Sequence, residues 1–399
     1  MENKMRIAAL CALAAGMAFA APNVKIDSVL QRYPWSNIVD IRYTVSGLAE
    51  GAKADLAISA KIDGGETFAV TNATVEANGS YVQQWTPGPG ICTTNCTMFG
   101  ELTPPRDYMI VNLTNGAIRY EAWTSQETAN ATYNTNLYKT THMVFRRIPA
   151  AEGVILQTNA IGRSFRFSHD YYIGVFPVTE AQYKLLVKDG SGTSRGDTCP
   201  VGSISWEQIR GTRTNFNEVA GIDFATDSTT NFIAVLNKKV KAYYGGDAAN
   251  AKFDLPTEAA WEYAAAAGTS CTNEYFFGPT GADLGTYAWY SANSGNVAHP
   301  VGTKEPNPWG LYDVYGNVFE WVRDRWDGNT FGTLDAQREM PSDGFMAASS
   351  GSDDARRDRG GSYYGDASYS QCTSLWRSWA DYDSKYWNYG FRLAWGVQE

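Results

Sequence analysis

An α+β chain is what the sequence predicts: an all-β sandwich over residues 21–146, followed by a mixed domain over residues 147–399. Three observations carry this. Apolar and polar residues alternate in short runs through the first part. Helical spacing behind N-cap residues takes over near residues 145–149. Beyond Gly268, glycines, aromatics and short apolar pieces imply long loops over small sheets.

Ahead of both parts, Lys4 and Arg6 give a basic start, Ile7 to Met17 an apolar run, and Ala18 to Ala20 a small-residue cleavage site. The run is too short to cross a bilayer, so residues 1–20 read as a secretory signal peptide. The expectation is an exported protein, periplasmic, at the cell surface or secreted. Cys11 follows Ala-Ala-Leu, a poor lipoprotein box, so no lipid anchor is read; no later stretch suits a membrane span. The formal charge of -9 becomes about -10 without the leader, and the acid is spread along the chain. With no basic stripe to replace phosphate counterions, a nucleic-acid partner is excluded.

Five cysteines remain: Cys92, Cys96, Cys199, Cys271 and Cys372. Export permits disulfides. Cys92 and Cys96 are spaced to close a small loop or to stand as two structural thiols; spacing assigns no pairing among the last three, and an odd count leaves one thiol over.

In the first part, Val39, Ile41, Tyr43 and Val45 point one way, and Leu56, Ile58, Ala60 and Ile62 repeat the pattern. Asp63 to Gly65 supplies a hairpin turn before "TFAV". "SYVQQW", "YMIVNL" and "AIRYEAW" continue as short strands between Gly, Pro and Asn, the grammar of an antiparallel sandwich. No catalytic constellation occurs here, so the part reads as a spacer or docking module. In the second part, Thr179 is an N-cap with Ala181, Leu185 and Leu186 on an apolar face, and Ser205 opens another helix. Phe232, Val235, Leu236 and Val240 recur at helical spacing before a glycine stop. Pro256 and Thr257 precede a helix whose Glu258 suits its positive end.

"PVTEAQY", "ISWEQ", "LPTEAAWEYAAAAG", "NPWGLYDVYGNVFEWVRDRW", "RGGSYY" and "YGFRLAW" stand in this order between residues 177 and 395. Together they resemble the formylglycine-generating-enzyme, or sulfatase-modifying-factor, family. The resemblance implies a variant of the C-type lectin fold for the second domain. The family's enzymes oxidise a sulfatase cysteine with two cysteines placed just after the Gly-Gly-Ser word. The matching positions here are Gly365 and Ser370. Neither supplies the thiolate that would hold copper(I), so the sequence leans against an enzyme. The family's iron-dependent relatives imply a histidine-rich site, but His142, His169 and His299 are scattered without ligand spacing. Neither a copper nor an iron site is expected. A structural calcium ion is, since the family's loop ligands match Asp313, Gly316, Val318 and Glu320, two carboxylates and two backbone carbonyls. The competing reading has Asp313 capping a turn and Glu320 in a salt bridge. At a second family calcium site, Trp289 takes the place of an Asn, so that site is not claimed.

Between Gly361 and Gly390 the chain crowds Tyr, Trp, Ser, Asp and Asn. Rings give contact area at low entropic cost and short polar groups give adaptable hydrogen bonds, the mixture of antibody paratopes. It also suits sugars. The expected ligand positions are Tyr363, Tyr364, Asp366, Tyr369, Ser370, Trp379, Asp381, Tyr382, Tyr386, Trp387, Asn388 and Tyr389. About a third of the cluster, with Trp376, Phe391 and Trp395, is assigned to packing. The segment also resembles target proteins of diversity-generating retroelements, whose variable stretch lies between "RGGS" and "GFRL"; the tryptophans fall outside that adenine-based code. The leading expectation is a non-catalytic binding protein with a protein or glycan ligand. The alternatives are a sulfatase-maturation oxidoreductase, using Cys372 with Cys271 or Cys199, and a structural envelope protein.

Overall fold

The structure, a computed structural model, describes residues 23–31, 39–48, 54–62, 67–86, 96–103, 107–121, 126–149, 151–158, 161–167, 170–188, 192, 195–211, 231–246, 252–268, 273–326, 355–364 and 371–396. These fall into two compact units. The expected signal peptide and the turn at Asp63 to Gly65 lie outside the described residues.

The first unit is a β-sandwich of two three-stranded antiparallel sheets. One is ordered Asn23–Gln31, Val39–Ser46, Gly79–Trp85, and the other Thr67–Val75, Ala54–Ile62, Cys96–Thr103. Alternation dictates the core. Val24, Ile26, Val39, Ile41, Tyr43 and Val45 from one sheet meet Leu56, Ile58, Ala60 and Val75 from the other in a single buried cluster. The outward partners are polar, as in Asp40, Arg42 and Thr44.

The first unit takes Met1–Asp107 and Tyr120–Thr124, and the second Tyr108–Arg119 and Ser125–Glu399, so the second unit begins well before the change of grammar at residue 146. Tyr108–Asn112 pairs with His142–Ile148 in the sheet of the second unit. Four of its five residues are buried, so it is a strand covered on both faces. Two short helices, Gln126–Tyr133 and Asn136–Thr140, lie where the sequence reading had only strands.

The second unit carries a six-stranded sheet in the order Phe253–Asp254, Ala394–Trp395, Tyr171–Gly174, His142–Ile148, Tyr108–Asn112, Ile118–Glu121. Ala394–Trp395 thus lies inside this sheet, hydrogen-bonded on both sides to strands more than 130 residues earlier in the chain. A second sheet, ordered Ser378–Asp381, Ala355–Arg359, Phe319–Arg325, Tyr389–Gly390, collects the segments expected to bind ligand.

Helix starts follow the cap residues. Thr179 and Ser205 each form a complete capping box, with Gln182 and Gln208. Thr257 Oγ1 accepts from Ala260 N–H, and the Asp324 carboxylate accepts from Glu258 N–H, so two oxygens hold that helix's positive end. One helix departs from its predicted face. In Glu180–Leu186 the buried residues are Glu180, Gln182 and Tyr183, while Leu185 is exposed. Polarity was a poor guide there because Gln182 Nε2 donates to Tyr138 O and His142 O, so the buried amide is satisfied.

Candidate ligand-binding face

The face grows from turns that the four-stranded sheet brings together. Gly361 has φ +76°, and a Cβ there would lie 2.6 Å from Gln371 O, so the chain bends at this point as glycine. Ser362 is the anchor. Its hydroxyl donates to Tyr364 O at 2.6 Å and accepts from Asn388 Nδ2 at 2.9 Å, tying two turns together. The second turn closes through Tyr389 N–H to Tyr386 O, a carbonyl that also accepts from Ser203 N–H.

On this scaffold stand rings that the core does not take. Tyr364 is 48 % exposed, Tyr386 50 % and Trp387 38 %. Trp387 meets Tyr364 nearly edge-on at 4.5 Å. Trp379 is also exposed, but it stacks on Trp326 at 5.6 Å and shows no ring contact with the other three. Asp381 is exposed; Tyr382 and Asn388 are half-buried.

Two expected ligand positions are corrected. Tyr363 and Tyr389 are buried and pack beneath the face. Tyr363 supports Trp387 at 5.4 Å, and Tyr389 lies against Phe319 and Trp321 because its strand runs parallel to Phe319–Arg325. Asp366, Tyr369 and Ser370 lie outside the described residues, as does Gly365.

Sequence reasoning missed Arg195. Its side chain is exposed, and its guanidinium carbon sits 4.9 Å from the centre of the Tyr363 ring. Burial pushes the Tyr363 phenol up to about 12, with Arg195 pulling the other way. Nothing in the residues around Arg195 signals the contact; the fold alone joins positions so far apart.

Beneath the rings lies Asp358, fully buried in the sheet. Burial pushes its carboxyl up to about 8, over the opposing pull of Tyr389, Arg359 and Arg357. A folded pKa above the unfolded one means that the native state holds an extra proton between those two values. The stabilisation is complete below the ordinary carboxylate range and is lost as pH rises through about 8. Across that window native stability should fall by up to about 1.4 kcal/mol per pH unit from this group. Asp358→Asn should flatten the decline of melting temperature between about pH 5 and pH 8. An equal decline in both proteins would count against this protonation state.

The two carboxylates expected to hold calcium, Asp313 and Glu320, lie near one guanidinium and do not fit the ion. Both Glu320 oxygens accept from Arg392, Nε to Oε2 and Nη2 to Oε1, each at 2.7 Å, and Trp261 Nε1 donates to Oε2 at 2.6 Å. Asp313 Oδ2 accepts from Gly302 N–H and Oδ1 from Asn317 Nδ2. Burial raises the Asp313 carboxyl to about 6 despite those donors and Arg392. A guanidinium therefore already supplies the positive charge, and it also donates to the carbonyls of Tyr312 and Asp313. A divalent ion placed there would face a fixed like charge. Among the described residues, no group of three or more His, Cys, Asp or Glu is gathered as metal ligands.

Sulfur chemistry finds little support either. Cys199 and Cys372 are buried and free, and burial raises both thiols, Cys372 to about 12. Neither is a thiolate at neutral pH. Cys92, Cys271 and the side chain of Cys96 lie outside the described residues, as does His169. His299 stacks on Trp289 at 3.7 Å, and His142 hydrogen-bonds Thr141.

Residues 148–397 match the model of the sulfatase-modifying factor enzyme 1-like domain. The chain is 30 % identical over 175 residues to "Chaperone protein LppX" of Paenibacillus barcinonensis, covering 38 % of this chain and 61 % of that protein. It is 38 % identical over 86 residues to "Serine/threonine-protein kinase pkn1" of Chlamydia pneumoniae, covering 21 % of this chain and 12 % of that one. The chain thus spans less than two thirds of the length of these curated relatives. Among solved structures, Treponema denticola variable protein 1 is 26 % identical with a TM-score of 0.48, covering 64 % of this chain and 95 % of its own. PvdO from Pseudomonas aeruginosa is 20 % identical with a TM-score of 0.45, covering 63 % and 94 %.

Proposed function

The chain belongs to the sulfatase-modifying factor enzyme 1-like domain family, and from that premise we propose that it is an exported binding protein that uses the family fold without redox chemistry. The observation that carries this is the trio Tyr364, Tyr386 and Trp387, large rings left exposed on a hydrogen-bonded scaffold. Trp387 touches Tyr364, and Tyr386 packs on the buried Tyr389; exposed rings on one scaffold mark binding surfaces, and Tyr and Trp dominate the energetics of such surfaces. Gly365 and Ser370 at the positions of the family's paired cysteines, and the raised thiols of Cys199 and Cys372, both argue for grip over oxidation. The lectin-type sheet would serve as a rigid platform, and the β-sandwich as a spacer or docking module.

The test compares the full chain with a Tyr386→Ala, Trp387→Ala variant on protein and glycan arrays. Loss of two anchoring rings should weaken the best signals at least thirtyfold, the effect of about 2 kcal/mol. The melting temperature should hardly move, because neither ring is buried. Equal signals from both proteins would reject the assignment of this face.

A further inference from the structure

Arg195 has a position that packing alone leaves unused. Its guanidinium carbon lies 4.9 Å from the centre of the buried Tyr363 ring and its donors reach toward the Tyr363 phenol, while the residue itself is exposed. A guanidinium carries five N–H donors, so contact with one tyrosine leaves others available to a carboxylate. Among the described residues no carboxylate pairs with it; Asp197, exposed two residues on, does not. Tyr363 in turn touches Trp387, so one ring separates the open guanidinium from the exposed trio.

We propose that Arg195 is the specificity-determining residue of this face and that the partner is an acidic protein segment, presenting an Asp or Glu carboxylate to Arg195 and an apolar side chain to Trp387 and Tyr364. The inference rests on the binding reading above and narrows it. The polar groups among the rings favour peptide over sugar. Asn388 Nδ2 donates to the Ser362 hydroxyl, which donates to Tyr364 O, so these two polar groups are engaged in holding the turns. Trp387 and Tyr364 meet at 74°, making a corner that takes a side chain better than a flat platform for a sugar ring. A carboxylate needs only the fork that Arg195 holds out.

The full chain is panned against a random-peptide phage library beside two variants, Arg195→Gln and Trp387→Ala. Wild type should select peptides with Asp or Glu close to an apolar residue. Arg195→Gln should lose the acidic preference and keep the apolar one, and Trp387→Ala should lose selection. With the best synthetic peptide, Arg195→Gln should weaken binding at least tenfold. It should also remove most of the salt dependence between about 0.05 M and 0.5 M NaCl, a readout that a purely structural role would not move. Arg195→Lys, which keeps the charge without the fork, should retain salt dependence at reduced affinity. Selection that depends on Trp387 without acidic enrichment overturns this inference and leaves the binding reading standing. Selection indifferent to both residues, or none by a chain that melts cooperatively, overturns both. Arg195-dependent binding of an oligogalacturonate, with no acidic peptide selected, overturns the peptide assignment.

Discussion

Arg392→Ala should destabilise the second unit by about 3–5 kcal/mol, the usual cost of leaving a buried charge without its partner. Arg392 and Glu320 are both fully buried, and the guanidinium also donates to the carbonyls of Gly174, Tyr312 and Asp313. It joins the strand Tyr171–Gly174 to the loop before Phe319–Arg325, so its removal strands acceptors from both sheets. Glu320→Ala should cost a similar amount for the opposite reason, an unpaired buried cation. The double variant should be less damaged than the two losses added together, because no lone charge remains. Calorimetry of the second unit's transition in all four proteins closes the cycle. Additive losses, or a loss for Arg392→Ala below about 1 kcal/mol, would show that the pair is not what holds the loop.

Arg359→Ala should cost a comparable amount at alkaline pH and less in acid. Glu262 is fully buried, and its Oε2 accepts from Arg359 Nη2 at 2.7 Å and from Arg377 Nη2 at 2.8 Å. Burial already raises the Glu262 carboxyl, against the pull of both arginines. Without Arg359 the rise should be greater, and the carboxyl can escape its lost partner by taking a proton. A group with a raised folded pKa is stabilised below its unfolded value and loses that stabilisation as pH rises. The variant's deficit should therefore widen as pH rises above the ordinary carboxylate range. Glu258 responds in the opposite sense. Burial would raise it, but Arg357, Arg377 and Arg359 outweigh burial and hold it near 2, so its contribution is lost only as pH falls through that value. A deficit that is constant with pH would refute the role given to Glu262.

Much of the fold is legible because two periodicities write it. Val39, Ile41, Tyr43 and Val45 face one way at period two and are buried together, and Thr179, Ser205 and Thr257 cap the helices that follow them. Where the signal is a plain apolar run it says less. Tyr108 to Val111 reads as a strand, but nothing in it states that its partner is His142–Ile148 in the second unit. The site is half legible for a similar reason. A dense run of Tyr and Trp announces contact area, but burial is decided by partners elsewhere, and so Tyr363 and Tyr389 sit beneath Tyr364 and Trp387. The calcium expectation fails because its ligand positions are counted without Arg392, far along the chain and aimed at the same carboxylate. Arg195 escapes notice because a lone arginine in a loop has meaning only once Tyr363 is under it.

The place of Ala394–Trp395, hydrogen-bonded to Tyr171–Gly174 on one side and Phe253–Asp254 on the other, has a bearing on synthesis. A ribosome must have delivered the chain through Trp395 before this gap can be filled. Until then two rows of backbone donors and acceptors face each other with no ladder between them. Molecules stalled or clipped upstream of Phe391 would present those open rows to proteases and chaperones, so the architecture itself inspects whether this segment has arrived.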